Sequence, residues 1–563
     1  MISWWSKKIK YWFKRRHNIE ITPDEILLDA SNLPNFDTDQ FEGRLEKPIS
    51  KKSLKLVFVF FVTISVLLFA RTWFLQVQQG EAFLERSENN RLRYTFIFSN
   101  RGIIYDRNGQ ELVFNVRDDT EDFSKRKYLE IPGFSHLLGY VKYPSKDKHG
   151  FYWETNYVGK SGVELAFNEI LLGENGLKIV ETDAFNEIHS QAVTKPPKDG
   201  NNVYLSIDAG IQAKLFEIIS KTAGTFNYQG GSGAIMNVKT GELIAATSFP
   251  EYSSEILSNG KQEEIESYLN DKNNPFLYRL IGGLYAPGSV VKPFLSVAAL
   301  NEGVIDPKKQ ILSTDRMAVP NPYVPGQFSY FTDWKAHGWV DMIDALAFSS
   351  NIYFYHIGGG FGEQRGLGIS KINKYLSDFG IGEITKIKLS GEVSGTIPNP
   401  EWKKSRFDDD WRLGDTYNTS IGQYGFQVTP IQILRAVSAL ANGGNLLTPS
   451  LLKGGEGNKD SYSLSLTRES FEITRLGMRR AVEKGTASGL NVPYVSVAAK
   501  TGTAEIGRSF IHSWIVGFFP FENPKYAFVV VMERGPYSNT TGGVYVMRQL
   551  LDWMNQNTPE YFK

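Results

Sequence analysis

One apolar segment, residues 56–70, most constrains how this chain can fold, because the sequence contains no comparable run elsewhere. All but two of its residues are apolar, and 72–75 continue this character beyond Arg71. At 1.5 Å per residue the uninterrupted run covers only about 23 Å. Its flanks, with Lys55 and Arg71 reaching toward the interfaces, extend it enough to span a bilayer. We predict a single transmembrane anchor at 53–77.

Two other interpretations of this segment are weaker. A buried helix of a soluble domain would not be preceded by so many lysines and arginines. A cleaved signal peptide would lie nearer the start of the chain and end in a small-residue cleavage site. Because the positive flank stays in the cytoplasm, the predicted location is the cell membrane, with the N-terminus cytoplasmic and residues after about 77 outside.

The predicted cytoplasmic tail, residues 1–52, begins with an aromatic and basic stretch. Residues 3–17 interleave tryptophans and other apolar residues at helical spacing with lysines and arginines. This pattern fits a basic amphipathic helix on an anionic membrane surface, or a solvated tail that serves only as a topology signal. Residues 18–50 are polar and acidic and are predicted to form a linker or docking segment.

Length and composition exclude several classes of protein and of functional site. A chain of 563 residues is expected to form two or three domains. Its net charge of +1 indicates no nucleic-acid partner. The absence of cysteine excludes disulfides, thiol catalysis and cysteine-ligated metals, and the seven histidines form no HExxH pair.

Residues 78–200 alternate short strand-like runs with turns and are predicted to form a β-rich pedestal. Asn108 and Gly109 predict a type I′ hairpin turn. Residues 159–173 are predicted to be a helix, and 176–193 are rich in strand formers. No pair of acidic residues stands out for sugar chemistry, so we predict that the pedestal is not catalytic.

Residues 201–563 show the mixture of predicted strands and helices that is typical of an α/β domain. The predicted elements are strands at 234–238, 242–246, 495–499, 513–519 and 526–532 and a closing helix at 541–555.

The first candidate catalytic pair, Ser289 and Lys292, lies at the start of a predicted helix. Pro287 and Gly288 form a turn signal before it, and 294–300 is apolar. Residues three apart share a helix face, so a neutral lysine amine could take the serine proton and make the serine nucleophilic. Helix N-terminal N–H groups would lie near an oxyanion formed there. An ordinary helix start would look similar, and the same spacing occurs without this context at Ser145, Ser258 and Ser450.

A second candidate group is Ser349 with Asn351. A hydroxyl and a carboxamide stand two residues apart within an apolar stretch. Buried polar side chains need partners, so the group indicates either a polar site or a helix cap inside the fold.

A third group, Lys500, Thr501, Gly502 and Thr503, follows a predicted strand. The glycine permits close backbone approach, the lysine adds positive charge, and the hydroxyls could hold a carboxylate. The same letters occur at Lys239, where they fit a hairpin turn with solvent-facing side chains.

The three groups in this order within one domain are far more specific than any one of them. On this basis the sequence resembles the class B penicillin-binding proteins, the monofunctional transpeptidases of peptidoglycan synthesis. The resemblance runs from the membrane segment to about residue 543 and includes Arg101-Gly102, Thr240-Gly241-Glu242, Thr429-Pro430 and His512-Ser513-Trp514. Trp402-Lys403, Trp411 and Gly414-Asp415-Thr416 are most similar to the elongation-type branch, penicillin-binding protein 2.

The resemblance implies an α+β fold: a single N-terminal transmembrane helix, a β-rich pedestal of the dimerisation type at 78–200, and a transpeptidase domain at 201–563. In the last of these an antiparallel sheet would lie between helices. The segment between Val116 and Leu137 is shorter than the family's usual head region, which leaves regulation by an accessory protein open.

The resemblance also assigns a role to each catalytic residue. Ser289 would attack the carbonyl of the penultimate D-Ala of a donor stem and release the terminal D-Ala. Lys292 would be the general base, and Ser349 would relay protons to the leaving amine. Asn351 would bind the donor's amide, and Lys500 would give electrostatic support.

Substrate binding is assigned in the same way to the third group. Thr501 and Thr503, on either side of Gly502, would receive the terminal carboxylate. The backbone N–H groups of Ser289 and Thr503 would form the oxyanion hole. An amine from a neighbouring stem would then resolve the acyl-enzyme, and a β-lactam would acylate the same serine and remain bound.

Some elongation-type relatives bind zinc through two Asp, a His and a Cys near the second group. Asp333 and His337 match part of that set and Asp315 could be the other Asp, but Ser350 replaces the cysteine, the softest ligand. We predict no metal and no cofactor.

The predicted function is therefore a serine-type peptidoglycan D,D-transpeptidase of cell-wall elongation, inhibited by β-lactams. Its implied partner is a SEDS-family glycosyltransferase, since the chain shows no glycosyltransferase region. A β-lactamase or D,D-carboxypeptidase of the same fold is an alternative, but no deacylating Glu motif is evident. A non-catalytic β-lactam-binding membrane scaffold is another, which the intact set of catalytic residues argues against.

Overall fold

The computed structural model describes residues 50–84, 92–182, 188–321, 324–455 and 461–563. The chain divides into two compact units, Met1–Arg91 and Leu92–Lys563. The amphipathic helix predicted at 3–17 and all but the last residue of the linker predicted at 18–50 lie outside the described residues.

The first unit contains one long helix, α1 (Lys51–Trp73), which continues as a π-helical turn at Phe74–Gln78. The Ser50 hydroxyl caps it by accepting the N–H of Ser53 at 3.1 Å. None of the side chains in α1 is buried within the protein. The 28 residues are long and apolar enough to cross a membrane, and no other helix of the described residues is. A helix where the sequence predicted the anchor is therefore confirmed.

Short strands and small sheets build the first part of the second unit. The strands among its described residues are β1 (Leu92–Ile97), β2 (Ile104–Tyr105), β3 (Glu111–Val116), β4 (Lys125–Tyr128), β5 (Val141–Lys142), β6 (Ser145–Lys146), β7 (Tyr152–Glu154), β8 (Val158–Gly159), β9 (Gly176–Thr182), β10 (Ile188–Lys195) and β11 (Val203–Tyr204). The helices are α2 (Ser135–Leu138), α3 (Gly162–Ala166) and α4 (Asn168–Leu171). One sheet has the order β1-β9-β10 and another the order β11-β2-β3-β4, and two strand pairs, β5-β8 and β6-β7, complete the β-rich pedestal.

Two local predictions for the pedestal are wrong in detail. The helix predicted at 159–173 is broken into α3 and α4 by Phe167, whose φ of −116° and ψ of 26° leave the helical region. A hairpin does join β2 to β3, but of its Asn-Gly pair only Gly109 has a positive φ, so the turn is not type I′. The Asp106 carboxylate shapes the turn instead, because it accepts the N–H groups of Asn108 and Gln110.

A buried ionic cluster ties the pedestal together. The Glu164 carboxylate accepts from Arg101 Nε at 2.6 Å and from Arg126 Nε at 2.9 Å, and all three side chains are fully buried. The guanidinium of Arg126 also donates to the carbonyl oxygen of Gly102 at 2.6 Å. Glu164 thus joins α3 to the chain before β2 and to β4. A buried pair is costly to break, since removing one partner leaves the other charge uncompensated.

We expect Glu164→Gln to lower the free energy of unfolding by about 3–5 kcal/mol, because two buried guanidinium groups would face a neutral amide. Urea unfolding of the purified protein, followed by fluorescence, measures this as a lower midpoint. The matched control is Glu169→Gln, in the exposed part of α4, which should change stability by less than about 0.5 kcal/mol. Equal midpoints for the two variants would contradict the role of this cluster.

The remainder of the second unit has longer elements. Its strands are β12 (Gly230–Asn237), β13 (Leu243–Phe249), β14 (Ile311–Ser313), β15 (Arg316–Pro320), β16 (Phe328–Thr332), β17 (Gly338–Val340), β18 (Asn445–Leu446), β19 (Tyr462–Ser463), β20 (Ala498–Ile506), β21 (Phe510–Phe519) and β22 (Tyr526–Pro536). Its helices are α5 (Ala209–Phe226), α6 (Ser254–Asn259), α7 (Gln262–Asn270), α8 (Arg279–Gly282), α9 (Lys292–Asn301), α10 (Met342–Phe348), α11 (Asn351–Gly359), α12 (Ile369–Asp378), α13 (Pro400–Phe407), α14 (Leu413–Ser420), α15 (Pro430–Ala441), α16 (Arg468–Glu483) and α17 (Gly543–Asn557). Short 3₁₀ helices lie at Gly288–Val291, Ser488–Leu490 and Pro559–Phe562.

A five-stranded antiparallel sheet, ordered β13-β12-β22-β21-β20, forms the centre of this region. Val529 and Val531 of β22 pack in the core that contains α9 and α15, whereas Phe528 and Val530 pack in the core that contains α5 and α17. Side chains alternate between the two faces of a strand, so burial on both faces explains the continuous apolar sequence of β22. The prediction of an α+β fold, with an antiparallel sheet between helices, is confirmed. The alternation of strands and helices that suggested an α/β domain belongs to this antiparallel sheet and not to a parallel one.

Candidate active site

The candidate nucleophile, Ser289, lies in the 3₁₀ helix Gly288–Val291, which leads directly into α9 at Lys292. A 3₁₀ helix has three residues per turn, so side chains three apart lie one above the other. The predicted helix start is therefore tighter than an α-helix, and this places Ser289 and Lys292 on the same face. Ser289 is half-buried, and the side chain of Lys292 is completely buried.

Two glycines allow the nucleophile segment to pack against the edge of the sheet. Gly288 has a φ of +56°, in the left-handed region that favours glycine, and a Cβ there would come within 2.9 Å of the Thr503 carbonyl oxygen. A Cβ on Gly502 would come within 2.8 Å of Val290 Cγ1. Larger residues would push β20 away from the 3₁₀ helix. The third sequence group thus lies beside the first, as the resemblance implies.

The Lys292 amine is held by the second group. Its Nζ donates to the Ser349 carbonyl oxygen at 2.8 Å and to Asn351 Oδ1 at 2.7 Å. Burial lowers the pKa of Lys292 to about 7, although the negative charge of Asp333 partly opposes this shift. A neutral amine has two N–H donors and one lone pair. Because carbonyl oxygens accept from both donors, the lone pair is left to take a proton.

Ser349 lies at the junction of two helices. It ends α10 with a φ of +60°, an uncommon conformation for a residue other than glycine, and Ser350 then caps α11 by accepting the N–H of Tyr353. Such a conformation costs of order 1–3 kcal/mol and persists only where the surroundings enforce it. Both interpretations of the second group are therefore correct, because the polar site is built at a helix cap.

The side chain of Ser349 lies between the two buried lysines. Its Oγ accepts from Lys500 Nζ at 2.7 Å and lies 3.5 Å from Lys292 Nζ. Lys500 is fully buried and also donates to the Thr501 carbonyl oxygen at 2.9 Å. Burial, reinforced by the charge of Lys292, holds the pKa of Lys500 well below its usual range. Ser349 Oγ therefore links the two lysine amines, and a proton could pass between them along these contacts.

These residues border a cavity of about 760 Å³. Ser289, Ser349 and Asn351 line it from the helical side. Thr501, Gly502 and Thr503 line it from β20, the terminal strand of the sheet. Lys292 and Lys500 lie behind this lining. All eight residues predicted from the sequence are thus brought together at one cavity.

Asp333, which the sequence offered only as a possible metal ligand, positions the second group. Its Oδ2 accepts the N–H groups of Asn351 at 2.7 Å and Ile352 at 3.1 Å and the Ser350 hydroxyl at 3.1 Å. Burial alone would raise the pKa of Asp333, but the adjacent His337, the charge of Lys292 and the backbone donors outweigh it and lower the pKa. The carboxylate therefore fixes the start of α11, and with it Asn351.

The donor set near Asp333 does not fit a zinc ion. The His337 Nε2 atom lies 3.7 Å from Asp333 Oδ1, but Asp315 is exposed and the Ser350 hydroxyl is bonded to Asp333. Within the described ranges no group of three His, Cys, Asp or Glu side chains could hold a metal ion.

Other residues of the cavity were missed by sequence reasoning. The Thr486 hydroxyl accepts from Thr501 Oγ1 at 2.7 Å, and the indole of Trp514 holds the turn before Ser289 by donating to the Ala286 carbonyl oxygen at 3.0 Å. Further lining residues come from several parts of the chain: Trp334, Asn418, Gln423, Glu505 and Tyr537. Only Glu505 carried a signal in the sequence, since it continues the alternation of Thr501 and Thr503 along one strand.

Comparison with known families places two matches on the chain. The family described as the penicillin binding protein transpeptidase domain matches residues 231–551. The family described as the penicillin-binding protein dimerisation domain matches residues 119–205. The first match covers more than half of the chain and includes every candidate site residue.

Among curated proteins, the chain is similar to the peptidoglycan D,D-transpeptidase MrdA of Acinetobacter baumannii, with 28% identity over 84% of this chain and 83% of the relative. Similarity to the Escherichia coli protein of the same name is 26% over 88% of this chain and 93% of the relative.

The chain is also similar to solved structures of penicillin-binding proteins. The Helicobacter pylori penicillin-binding protein PBP2, in complex with MreC, has a TM-score of 0.69 and 26% identity, covering 83% of this chain and 99% of that chain. Pseudomonas aeruginosa PBP2 in complex with WCK 5153 has a TM-score of 0.68 and 26% identity, covering 84% and 98%.

Proposed function

The chain belongs to the penicillin-binding protein transpeptidase family as a class B member of the PBP2 type, and from this we propose that it cross-links peptidoglycan stem peptides during cell-wall elongation. It is a serine-type D,D-transpeptidase with a pedestal, a transpeptidase domain and one apolar N-terminal helix. The observation that carries the residue assignments is the pairing of a half-buried serine with a buried amine whose pKa is about 7.

Acylation begins at Ser289. Its hydroxyl oxygen attacks the carbonyl carbon of the penultimate D-Ala, and its proton passes to the neutral amine of Lys292. The backbone N–H groups of Ser289 and Thr503 stabilise the negative oxygen of the tetrahedral intermediate. Asn351, already fixed by Lys292 and Asp333, binds the donor's amide.

The leaving group departs from the other side of the cavity. The C–N bond breaks, and the nitrogen of the terminal D-Ala takes a proton through Ser349, which is in contact with Lys500 and near Lys292. Thr501 and Thr503 hold the terminal carboxylate until then, with Lys500 giving electrostatic support. The product is an ester between Ser289 and the donor stem.

Deacylation repeats the chemistry with an amine. The neutral amine of a neighbouring stem attacks the ester carbonyl and gives a proton to Lys292. The C–O bond to Ser289 breaks, and Lys292 returns this proton to the serine oxygen. The cross-link forms, and the serine hydroxyl and the neutral lysine amine are regenerated. A β-lactam would stop at the ester, because its ring-opened leaving group stays attached.

The cellular setting is part of the proposal. The helix at Lys51–Gln78 would anchor the chain in the cell membrane in a single pass, with the basic tail cytoplasmic and the catalytic domain outside. We propose domain boundaries at 52 and 77, on either side of the anchor, and at 200, between the pedestal and the transpeptidase domain. One PBP2 relative was solved with MreC, and we infer that this chain also works with partner proteins, including a SEDS-family glycosyltransferase that supplies glycan strands.

The test uses purified protein and un-cross-linked glycan strands whose stems end in D-Ala-D-Ala. We expect one D-Ala to be released for each cross-link formed, both measured by mass spectrometry after digestion of the glycan. Release of D-Ala without cross-links would favour a carboxypeptidase, and rapid penicillin turnover would favour a β-lactamase. If the protein shows none of these activities and binds penicillin without forming a covalent bond, the scaffold interpretation is favoured.

A further inference from the structure

The cavity at the three sequence groups is lined by one charged side chain. Of the described residues that form its lining, Glu505 is the only acidic or basic one, and the others are hydroxyl, amide, aromatic or apolar. The two lysines of the site lie behind the lining and are fully buried. A substrate within the cavity therefore meets a single carboxylate at its surface.

Strand geometry fixes where this carboxylate lies. Thr501, Thr503 and Glu505 are two residues apart on β20, so they project from the same face. At about 3.4 Å per residue, Glu505 lies about 7 Å beyond Thr503 along the strand. Because β20 is the terminal strand of the sheet, an extended peptide bound along it with its carboxylate at the two threonines would reach Glu505 with its upstream residues.

The Glu505 carboxylate is available for a ligand. It is exposed, and its one hydrogen bond in the described ranges is a long one, from the Tyr537 hydroxyl at 3.5 Å from Oε1. No Lys or Arg of those ranges forms an ion pair with it. An unpaired carboxylate at the wall of a groove attracts cations and raises their local concentration.

The reaction itself supplies a cation. Cross-linking requires a stem that carries an amine, and a primary amine in water is largely protonated before it reacts. Donor and acceptor stems on the same glycan are the same chemical species, so both carry this group. We propose that Glu505 is a specificity residue that binds the ammonium group of a stem peptide's diamino acid. This inference rests on the proposed function and names the substrate feature that the site recognises.

The experiment compares Glu505→Gln with wild-type protein on stems that differ only in this charge. The donor arm measures the single-turnover rate of D-Ala release, which reports acylation before any acceptor amine reacts, from stems with a free or an acetylated side-chain amine. If the donor's ammonium is bound, wild-type protein prefers the free amine and Glu505→Gln loses about five- to tenfold of that preference.

The acceptor arm uses the acetylated donor and measures the acceptor concentration at which half of the acyl-enzyme is aminolysed rather than hydrolysed. If the acceptor's ammonium is bound, this concentration rises about five- to tenfold in the variant.

Controls separate charge recognition from loss of structure. Glu217→Gln, an exposed carboxylate of α5 outside the cavity, should match wild-type protein in both arms. Glu505→Lys should reverse the donor preference or weaken the acceptor further than Glu505→Gln does. The proposal is overturned if Glu505→Gln leaves the acceptor concentration unchanged and changes free and acetylated donors equally or not at all. If wild-type protein releases no D-Ala from either donor, the proposed function fails, and this inference fails with it.

Discussion

Replacing Ser289 with alanine is expected to abolish cross-linking and D-Ala release, with a loss of at least about 10⁴-fold, because no other group in the site can form the acyl-enzyme. The fold should remain intact. Ser289 is half-buried in a short 3₁₀ helix, so removal of its hydroxyl should change the free energy of unfolding by less than about 1 kcal/mol. Mass spectrometry of D-Ala and of the digested glycan, together with thermal unfolding, measures both effects.

The matched control for this variant is Ser450→Ala, because Ser450 and Lys453 have the same spacing as the proposed pair. The Ser450 hydroxyl accepts the N–H of nearby Leu452 at 3.3 Å, and the residue lies outside the cavity. Its replacement should leave D-Ala release unchanged. Comparable activity in Ser289→Ala and Ser450→Ala would remove the serine nucleophile from the account.

Replacement of Lys292 with methionine is expected to lower the acylation rate at least about 10³-fold. Loss of a general base costs about 10²–10⁴-fold, and the lost N–H donors also leave the carbonyl oxygens of Ser349 and Asn351 without this partner. Methionine is unbranched, similar in size to lysine and uncharged, so it can be buried at this position and the variant should fold. Stopped-flow acylation by a chromogenic cephalosporin measures the rate.

Lys292→Arg separates the two tasks of this side chain. A guanidinium can donate hydrogen bonds but does not lose its proton in proteins, so it cannot serve as the base. We expect Arg to be as inactive as Met. If Lys292→Arg retained more than about a tenth of the wild-type rate, hydrogen bonding rather than proton transfer would be the role of Lys292.

The acylation rate of wild-type protein should rise with pH through about 7. Only the neutral amine accepts the proton of Ser289, and burial lowers the pKa of Lys292 to about 7. The neutral fraction is then about one tenth at pH 6 and about nine tenths at pH 8, so the rate should rise nearly tenfold and level off above. Lys292→Met should show no such rise. A wild-type rate that is flat or falls over this interval would contradict a base with a pKa of about 7.

The candidate catalytic groups can be recognised in the sequence, but their arrangement in space cannot. Spacing alone placed Ser289 and Lys292 on one face, and the 3₁₀ helix makes that alignment closer than an α-helix would. The partners of the amine, Ser349 and Asn351, are 57 and 59 residues away, and only the packing of α9 against the α10–α11 junction brings them together. Long-range contacts of this kind leave no periodic signal in a sequence.

The errors have local physical causes. Asn108-Gly109 favours a type I′ turn by itself, but the Asp106 carboxylate offers two N–H groups an alternative partner and selects another turn. The buried ionic cluster could not be predicted from the sequence either, because nothing near Glu164 in the sequence shows that Arg101 and Arg126 contact it in the interior. Glu505 could have been found by extending the strand alternation past the third group.

The role of Ser289 as the nucleophile can be tested by locating the covalent adduct that labelled penicillin forms with the purified protein. We expect a stable adduct on Ser289, identified by proteolysis and tandem mass spectrometry, which forms faster at pH 8 than at pH 6 and is absent from Ser289→Ala. An adduct on any other residue, or none under conditions where the protein is folded, would contradict this role.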